Sequence, residues 1–135
     1  MKSTATLVIF IAGLMVAGFT IKMQQTQKPW PVPAADKAMK NPVASSAESI
    51  KAGKELWSMN CKSCHGTKGL GDGSKAAQLK TEPGDFSTPA FQSQTDGEIF
   101  YKLSVGRDDM PASKKKIPDN EDRWNLVNFI RTLKK

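Results

Sequence analysis

Residues 61–65 read Cys61-Lys62-Ser63-Cys64-His65 and form the pattern C-x-x-C-H. Both cysteines and the single histidine of this 135-residue chain lie within these five positions. The pattern is typical of covalent haem attachment, in which two thiols add to the two vinyl groups of one porphyrin edge. The imidazole of the next residue then lies beneath the iron. We therefore predict one covalent haem, held by Cys61 and Cys64, with His65 as an iron ligand.

Three other interpretations of the same residues stay open. A dithiol redox site needs an activated first thiol at the start of a helix in a βαβ setting, whereas this motif follows a predicted helix. A structural zinc site needs four nitrogen or sulfur ligands, and the motif offers three. The least specific interpretation is a disulfide between Cys61 and Cys64 beside an unrelated histidine. Haem attachment is favoured because both cysteines and the only histidine of the chain are concentrated in this one motif.

A helix is predicted immediately before the motif, over residues 47–60. Gly53 and Trp57 fall on one side of it at helical spacing, and the glycine leaves that side flat. Ser45 and Glu48 fit a capping box, in which each side chain satisfies the backbone N–H of the other residue. The motif thus lies directly after an amphipathic helix.

Two more helices are predicted after the motif. Thr95 and Glu98 form a second capping box, and Gly106 supplies a helix stop. Asp119 is a suitable N-cap for a last helix that ends in basic residues, as the helix dipole prefers. No strong alternating strand pattern occurs, so we predict an all-α domain over residues 46–135. A core of about 90 residues is small, and a bulky apolar group would help to complete it.

The stretch 46–135 resembles the class I cytochrome c family. One match is the segment from Gly53 to Gly66, where a glycine and an aromatic residue, Trp57, precede the first cysteine of the motif. The other match is the last helix, with Leu126, Phe129 and Ile130. The resemblance implies a domain of about 3–5 helices around one covalent haem c. It also implies that the two terminal helices cross closely at Gly53.

A haem iron ligated by His65 has a second axial position, which water, another histidine or a methionine can occupy. The chain contains no second histidine. Of the six methionines, five lie in or beside the N-terminal apolar segment, in the spacer after it, or two residues before Cys61. Met110 remains, and the following Pro111 restricts its backbone to an extended form. Met-Pro at this place also matches the family pattern. We expect Met110 to be the second metal ligand.

The resemblance implies a role for Pro83 as well. The Nδ1–H group of His65 needs an acceptor that orients the ring. In the family, a proline-containing loop after the motif supplies a carbonyl for this purpose, and residues 81–84 read Thr-Glu-Pro-Gly. Pro83 is therefore the expected partner of His65.

Residues 1–21 are predicted to form an N-terminal apolar helix. The stretch 3–21 is uncharged and lies between Lys2 and Lys22. It is just long enough for a membrane anchor, which needs about 20 residues. It also fits a secretory signal, although Val16-Ala17-Gly18 is a poor cleavage site. Either interpretation places the domain on the periplasmic side of the cytoplasmic membrane, anchored or secreted.

Residues 22–45 are predicted to be a spacer between this segment and the domain. Pro29, Pro31 and Pro33 prevent a continuous helix and favour an extended path. Such a composition is typical of a semi-rigid linker. Trp30 either packs back on the domain or lies near the lipid interface, and the sequence leaves both open.

The formal net charge is +7, from 20 Lys and Arg residues against 13 Asp and Glu residues. The chain has no groove-reading motif and no Arg-rich arm, so a nucleic-acid partner is not expected. Lys62, Lys68 and residues 114–116 lie in loops near the expected ligands. They are candidates for docking an acidic redox protein, or they are simply solvated.

Two fixed protein ligands leave no vacant iron position for a small-molecule substrate. The expected function is one-electron transfer between redox partners through an exposed porphyrin edge, which makes the protein an electron carrier and not an enzyme. Two alternatives remain. The chain is an electron-delivery haem subunit of a larger oxidase or dehydrogenase, or it is a haem sensor or enzyme in which Met110 is displaceable.

Overall fold

The computed structural model describes residues 29–135. Over this range the protein is all-α, as predicted, with six α-helices, two short 3-10 turns and one isolated bridge between Arg107 and Met110. The helices are α1 (Ala34–Lys37), α2 (Ala47–Asn60), α3 (Lys62–His65), α4 (Pro89–Gln92), α5 (Asp96–Val105) and α6 (Asn120–Arg131). The 3-10 turns are Ala76–Gln78 and Ser113–Lys115. The apolar helix predicted for residues 1–21 lies outside the described residues.

The N-cap of α2 differs from the prediction. The side-chain oxygen of Ser46, and not that of Ser45, accepts a hydrogen bond from the backbone N–H of Ser49 at 3.2 Å. The predicted box between Ser45 and Glu48 is wrong because Glu48 is the second residue of the helix. The third position, which a cap side chain reaches, is Ser49. The bounds of the helix itself agree with the prediction.

The caps of α5 and α6 agree with the sequence patterns. Thr95 N–H donates to Glu98 Oε2 at 2.7 Å, and Glu98 N–H donates to Thr95 Oγ1 at 3.1 Å, which completes the capping box. The Oδ1 atom of Asp119 accepts from the N–H of Glu121 at 2.8 Å. Gly106 ends α5 in a left-handed conformation with φ of 67°. Local hydrogen bonding therefore sets these three helix ends.

Helices α2 and α6 cross closely at Gly53. A Cβ atom at this buried position would overlap the backbone carbonyl of Asn125 and would lie 2.8 Å from the Cβ of Phe129. The expected role of Gly53 is confirmed, because a side chain here would separate the two helices.

We expect Gly53→Ala to lower the free energy of unfolding by about 1–3 kcal/mol. Alanine favours a helix over glycine by about 1 kcal/mol, but the added methyl group meets backbone atoms of α6 that cannot rotate away. Lys51→Ala, on the exposed side of α2, is the matched control and should change stability by less than about 0.5 kcal/mol. Denaturant unfolding measures both variants. A Gly53→Ala variant as stable as the parent would contradict the close crossing.

The hydrophobic core lies between α2, α5 and α6, with contributions from the irregular segments. Its buried apolar side chains are Trp57, Phe86, Ile99, Phe100, Leu103, Ile117, Trp124, Leu126, Val127, Phe129 and Ile130. Phe100 of α5 stacks on Trp124 of α6 with ring centroids 3.9 Å apart. The three residues of the last helix that carry the family resemblance, Leu126, Phe129 and Ile130, all belong to this core.

Residues 29–45 pack against α5 and α6, and we call them the N-terminal strap. Helix α1 lies on α5 at Gly97, where a Cβ atom would overlap the carbonyl oxygen of Asp36. The hydroxyl of Thr95 donates to the carbonyl of Lys37 at 2.8 Å. Trp30 packs back on the domain, which is one of the two alternatives that the sequence left open.

Asn128 of α6 fixes the other end of the strap. It is 5% exposed, and its Oδ1 atom accepts from the side chain of Asn41 at 2.8 Å. Its amide group donates to the carbonyl of Val43 at 3.1 Å and to the hydroxyl of Ser49 at 2.8 Å. The described part of the predicted spacer is thus held on the domain by buried polar contacts, which composition alone does not reveal.

The division of the chain at residues 21 and 45 stays a prediction. None of the helices within residues 29–135 has the length and apolar character needed to cross a bilayer. The candidate membrane segment, residues 3–21, lies outside the described residues.

Candidate haem-binding site

The motif residues lie on a single helical turn at the end of α2. The carbonyl of Cys61 accepts hydrogen bonds from the N–H groups of Cys64 at 3.2 Å and His65 at 3.0 Å. Helix α3 therefore follows α2 almost without interruption, and both thiols and the imidazole belong to one tight unit. Both cysteines are free thiols.

The loop after the motif, residues 66–75, fixes the end of α3. Its amides satisfy three carbonyls of the motif: the N–H groups of Gly71, Gly73 and Lys75 donate to His65, Cys64 and Ser63. The indole N–H of Trp57 donates to the carbonyl of Gly66 at 3.0 Å. The turn that carries the thiols and the imidazole is thus held both by the following loop and by α2.

His65 is buried among aromatic rings. Its side chain is 9% exposed, and its ring centroid lies 4.7 Å from that of Phe86 and 5.6 Å from that of Trp57. Burial lowers the pKa of the imidazole to about 4, and the nearby carbonyl of Pro83 opposes this shift with a smaller effect. His65 is therefore neutral at pH 7, which is the form that ligates a metal.

The Nδ1 atom of His65 is buried and makes no full hydrogen bond within residues 29–135. The carbonyl of Pro83 nevertheless lies close enough to affect the pKa of the ring. The carbonyl of Pro83 is therefore a neighbour of the ring and does not form a full hydrogen bond with it. The structure brings His65 and Pro83 together, and the role of Pro83 stays a prediction.

The thiols distinguish between the interpretations of the motif. Burial, and to a smaller extent Cys64, raises the pKa of Cys61 to about 12. A redox dithiol needs the opposite shift, toward an activated thiolate. In the described part of the chain, no three His, Cys, Asp or Glu side chains converge as a metal site. Haem attachment is the interpretation that these residues fit.

Met110 lies in a tight turn directly after α5. The N–H of Arg107 donates to the carbonyl of Met110 at 2.9 Å, and the N–H of Met110 donates to the carbonyl of Arg107 at 2.8 Å. We call residues 106–111 the Met110 loop. A Cβ atom on Gly106 would lie 2.6 Å from the backbone nitrogen of Ala112. The half-buried Met110 side chain packs against the hydrophobic core.

Asp109 joins the Met110 loop to the segment that precedes Pro83. Its Oδ2 atom accepts hydrogen bonds from the backbone N–H groups of Lys80 at 2.7 Å and Thr81 at 3.3 Å. The loops that carry Met110 and Pro83 are therefore direct neighbours, although they are distant in sequence.

The family comparison covers most of the described structure. The family model described as cytochrome c matches residues 50–134. The chain belongs to the cytochrome c family. The cytochrome c domain carries a covalent haem c with iron, and Cys61 and Cys64 occupy the positions that the C-x-x-C-H motif requires. The free thiols and the buried, neutral imidazole fit this group.

Solved structures agree with the cytochrome c fold. A chain of the Kuenenia stuttgartiensis reducing HAO-like protein complex Kustc0457/Kustc0458 is 25% identical with a TM-score of 0.65, over 79% of this chain and 52% of that chain. The KustC0563 c-type cytochrome is 26% identical with a TM-score of 0.51, over 62% of this chain and 98% of that chain. This cytochrome c chain spans about half the length of the first structure.

A third structure shows likeness in fold alone. Cytochrome CL from the marine methylotrophic bacterium Methylophaga aminisulfidivorans MPT is 18% identical with a TM-score of 0.51, over 81% of this chain and 71% of that chain. No curated protein sequence matches the chain. Haem-based electron transfer is the general function that membership of the cytochrome c family implies.

The sequence did not reveal three of the contacts that shape this site. Phe86 packs on the imidazole from an irregular segment, and no periodic pattern marks it. The sequence shows that Asp109 precedes Met110, but it does not show that Asp109 bonds to the backbone of residues 80–81. The hydrogen bond of the Trp57 indole to Gly66 depends on how the loop after the motif folds back.

Proposed function

We propose that this cytochrome c domain transfers single electrons between redox proteins on the outer side of the cytoplasmic membrane, through a haem iron ligated by His65 and Met110. The observation that carries the proposal is the Asp109 link, which places the Met110 loop beside the segment that faces His65. The haem c supplies a one-electron redox centre when bound.

Cys61 and Cys64 form the covalent attachment. Each thiol would hold the haem through one thioether, formed by addition of its S–H across a vinyl C=C bond without net oxidation. Both cysteines are free for this attachment. The tight turn that begins at Cys61 keeps the sulfur atoms and the imidazole in a fixed order.

His65 and Met110 saturate the iron in this proposal. The imidazole is neutral and buried, so its ring nitrogen is available without loss of a proton. In this proposal the carbonyl of Pro83, which lies near the ring, is the acceptor for the Nδ1–H group of His65. The thioether sulfur of Met110 favours Fe(II) and raises the potential. Since both ligands come from the protein, a substrate cannot reach the metal without displacing one of them.

The lysines near the motif and the Met110 loop are proposed to dock an acidic redox partner. We define this basic surface as Lys62, Lys68, Lys114, Lys115 and Lys116, all of which are exposed. Within residues 29–135 none of them takes part in an ion pair. Their charge is therefore available to attract an acidic partner and to speed its encounter.

Replacing Lys114, Lys115 and Lys116 by glutamine should slow oxidation of the ferrous protein by anionic ferricyanide about threefold at low salt. Oxidation by cationic tris(phenanthroline)cobalt(III) should become faster, because the repulsion is reduced. The control replaces Lys40, Lys51 and Lys54, which removes the same charge outside the basic surface. Stopped-flow absorbance measures the rates. Equal effects in both triple variants would contradict a localised basic surface.

Covalent haem is tested on the purified protein as it is produced. The spectrum in alkaline pyridine should be that of a haem with both vinyl groups converted to thioethers. The intact mass after denaturation should exceed the mass of the polypeptide by one haem. Colourless protein, or a mass without added porphyrin, would contradict the proposal.

The same mass measurement tests the proposed location. An anchored protein keeps residues 3–21 and fractionates with membranes, whereas a cleaved signal leaves a shorter chain in the periplasmic fraction. Recovery of the haem protein in the cytoplasmic fraction would contradict both forms of the proposal.

A second candidate is an electron-delivery subunit of a larger oxidase or dehydrogenase. The first structural relative is described as part of a protein complex, and this chain covers 52% of it. Native mass measurement of the protein from its own cells tests this candidate. A stable complex with a second redox protein favours the subunit role, and a free monomer favours the mobile carrier.

A further inference from the structure

We propose that Trp30 is a positioning residue, which acts through Arg107 to hold the Met110 loop where Met110 binds iron. The inference rests on the proposed ligation by Met110. It concerns the N-terminal strap, which lies before residues 50–134, the stretch matched by the family model. The strap would then be part of the structure that maintains the redox centre.

The contacts between the strap and Arg107 are direct. The guanidinium carbon of Arg107 lies 4.4 Å from the centroid of the Trp30 ring, and its Nη1 atom donates to the carbonyl of Pro29 at 3.1 Å. An aromatic face at this distance attracts a cation. Lys102 of α5 lies 5.9 Å from the same ring centroid. Trp30 is thus positioned beside two cations of the domain.

The backbone of Arg107 connects the residue that contacts Trp30 to Met110, the proposed iron ligand. Its N–H and C=O groups form both hydrogen bonds of the bridge to Met110. A shift of Arg107 therefore moves Met110 as well. The turn between them contains Asp108 with φ of 50°, a left-handed conformation that a residue other than glycine seldom adopts. Contacts outside the turn, such as that of Arg107 with the strap, help to keep the loop in one conformation.

Asp109 and Arg107 connect the Met110 loop to two different segments of the protein. Asp109 bonds to the backbone of residues 80–81 on one side. Arg107 contacts the strap on the other side. The ion pair between Arg107 and Asp108, at 3.6 Å, connects neighbours within the loop, and the Asp108 side chain is 62% exposed, so it adds little. Loss of Trp30 would remove the aromatic contact that Arg107 makes with the strap.

The N-terminal strap is held on the domain by contacts of its own, so it can stabilise the position of Arg107. Helix α1 lies against α5 at Gly97, and Asn41 bonds to the buried Asn128 of α6. These anchors fix the path of the chain from residue 34 to residue 43. They keep Trp30 close to Arg107 without any contribution from the Met110 loop.

We expect loss of Trp30 to change the competition between Met110 and an external ligand for the iron. If the loop leaves its position more often, an external ligand replaces Met110 on the ferric iron more easily, because apparent affinity depends on the fraction of open protein. Loss of the cation–π contact between Trp30 and Arg107 should tighten the apparent binding of imidazole about tenfold. The protein would remain folded, since Trp30 lies outside the core.

The test uses the full-length holoprotein with Trp30→Ala, Trp30→Phe and Gly97→Ala. Imidazole is titrated into the ferric form, and the long-wavelength charge-transfer band of methionine-ligated iron is followed. Trp30→Ala should bind imidazole about tenfold more tightly and show a weaker band. Trp30→Phe retains an aromatic face and should resemble the parent. Gly97→Ala displaces the strap without touching Trp30 and should resemble Trp30→Ala.

Two results would overturn the inference. One is parental imidazole affinity and band intensity in Trp30→Ala; the other is equal loss in Trp30→Ala and Trp30→Phe, which would show that the aromatic contact is irrelevant. Met110→Ala, measured in parallel, separates the two proposals. If the charge-transfer band disappears in Met110→Ala but is unchanged in Trp30→Ala, the positioning role fails alone. If Met110→Ala keeps the band, the ligand assignment fails and the positioning role fails with it.

Discussion

Met110→Ala should convert the haem iron to a five-coordinate or water-ligated form, and the ferrous protein should then bind carbon monoxide stoichiometrically. Alanine has no donor atom, and in the described part of the chain no second histidine is available to replace the thioether. The charge-transfer band of methionine ligation should disappear. The potential should fall, because a thioether ligand favours Fe(II). Carbon monoxide titration, ferric absorbance and redox titration measure these effects.

Met59→Ala is the matched control for this variant. Met59 is 72% exposed and lies two residues before Cys61, so it is a methionine near the motif that has no proposed contact with iron. Its replacement should leave the spectrum and the carbon monoxide response of the parent. An unchanged spectrum in Met110→Ala would remove Met110 from the site and would reopen the identity of the second ligand.

Joint replacement of Cys61 and Cys64 by serine should produce a chain without covalent haem and with little stable tertiary structure. The thiols are the only groups that form thioethers with the porphyrin. A domain of this size has a free energy of unfolding of about 5–15 kcal/mol. Loss of a large apolar group from a small core removes much of it, since the lining side chains lose their contacts.

The two single variants, Cys61→Ser and Cys64→Ser, are the controls, because each retains one thiol for attachment. Each should keep a mass increment of one haem, whereas the double variant should have none. Circular dichroism and denaturant unfolding compare their stability. A double variant that is compact and cooperatively folded without haem would contradict the view that the porphyrin completes the core.

Much of the helical framework could be predicted because its signals are local. The capping box of Thr95 and Glu98, the stop at Gly106 and the N-cap at Asp119 depend on residues within one helical turn of each other. The error at Ser45 was also local: two adjacent serines offered the same cap, and the position of Glu48 in the helix decided against the first. Local patterns therefore place helices well but leave their ends uncertain by one residue.

The contacts that surround the site could not be predicted in the same way. Phe86 lies against His65, and Asp109 bonds to residues 80–81, but both pairings depend on the path of irregular segments. Residues 29–45 appeared to be a linker because proline and polar residues dominate them. Their attachment to the domain requires Gly97 and Asn128, which act only when distant parts of the chain meet.

The attachment motif could be recognised from the printed sequence because Cys61, Cys64 and His65 are contiguous, and their chemistry depends on that spacing. The close crossing at Gly53 could be expected once the family resemblance was recognised. Folding in three dimensions decided which groups surround His65, which segment supports Met110, and that Trp30 lies on Arg107. These are contacts between residues far apart in the chain, and their geometry depends on packing that no local pattern encodes.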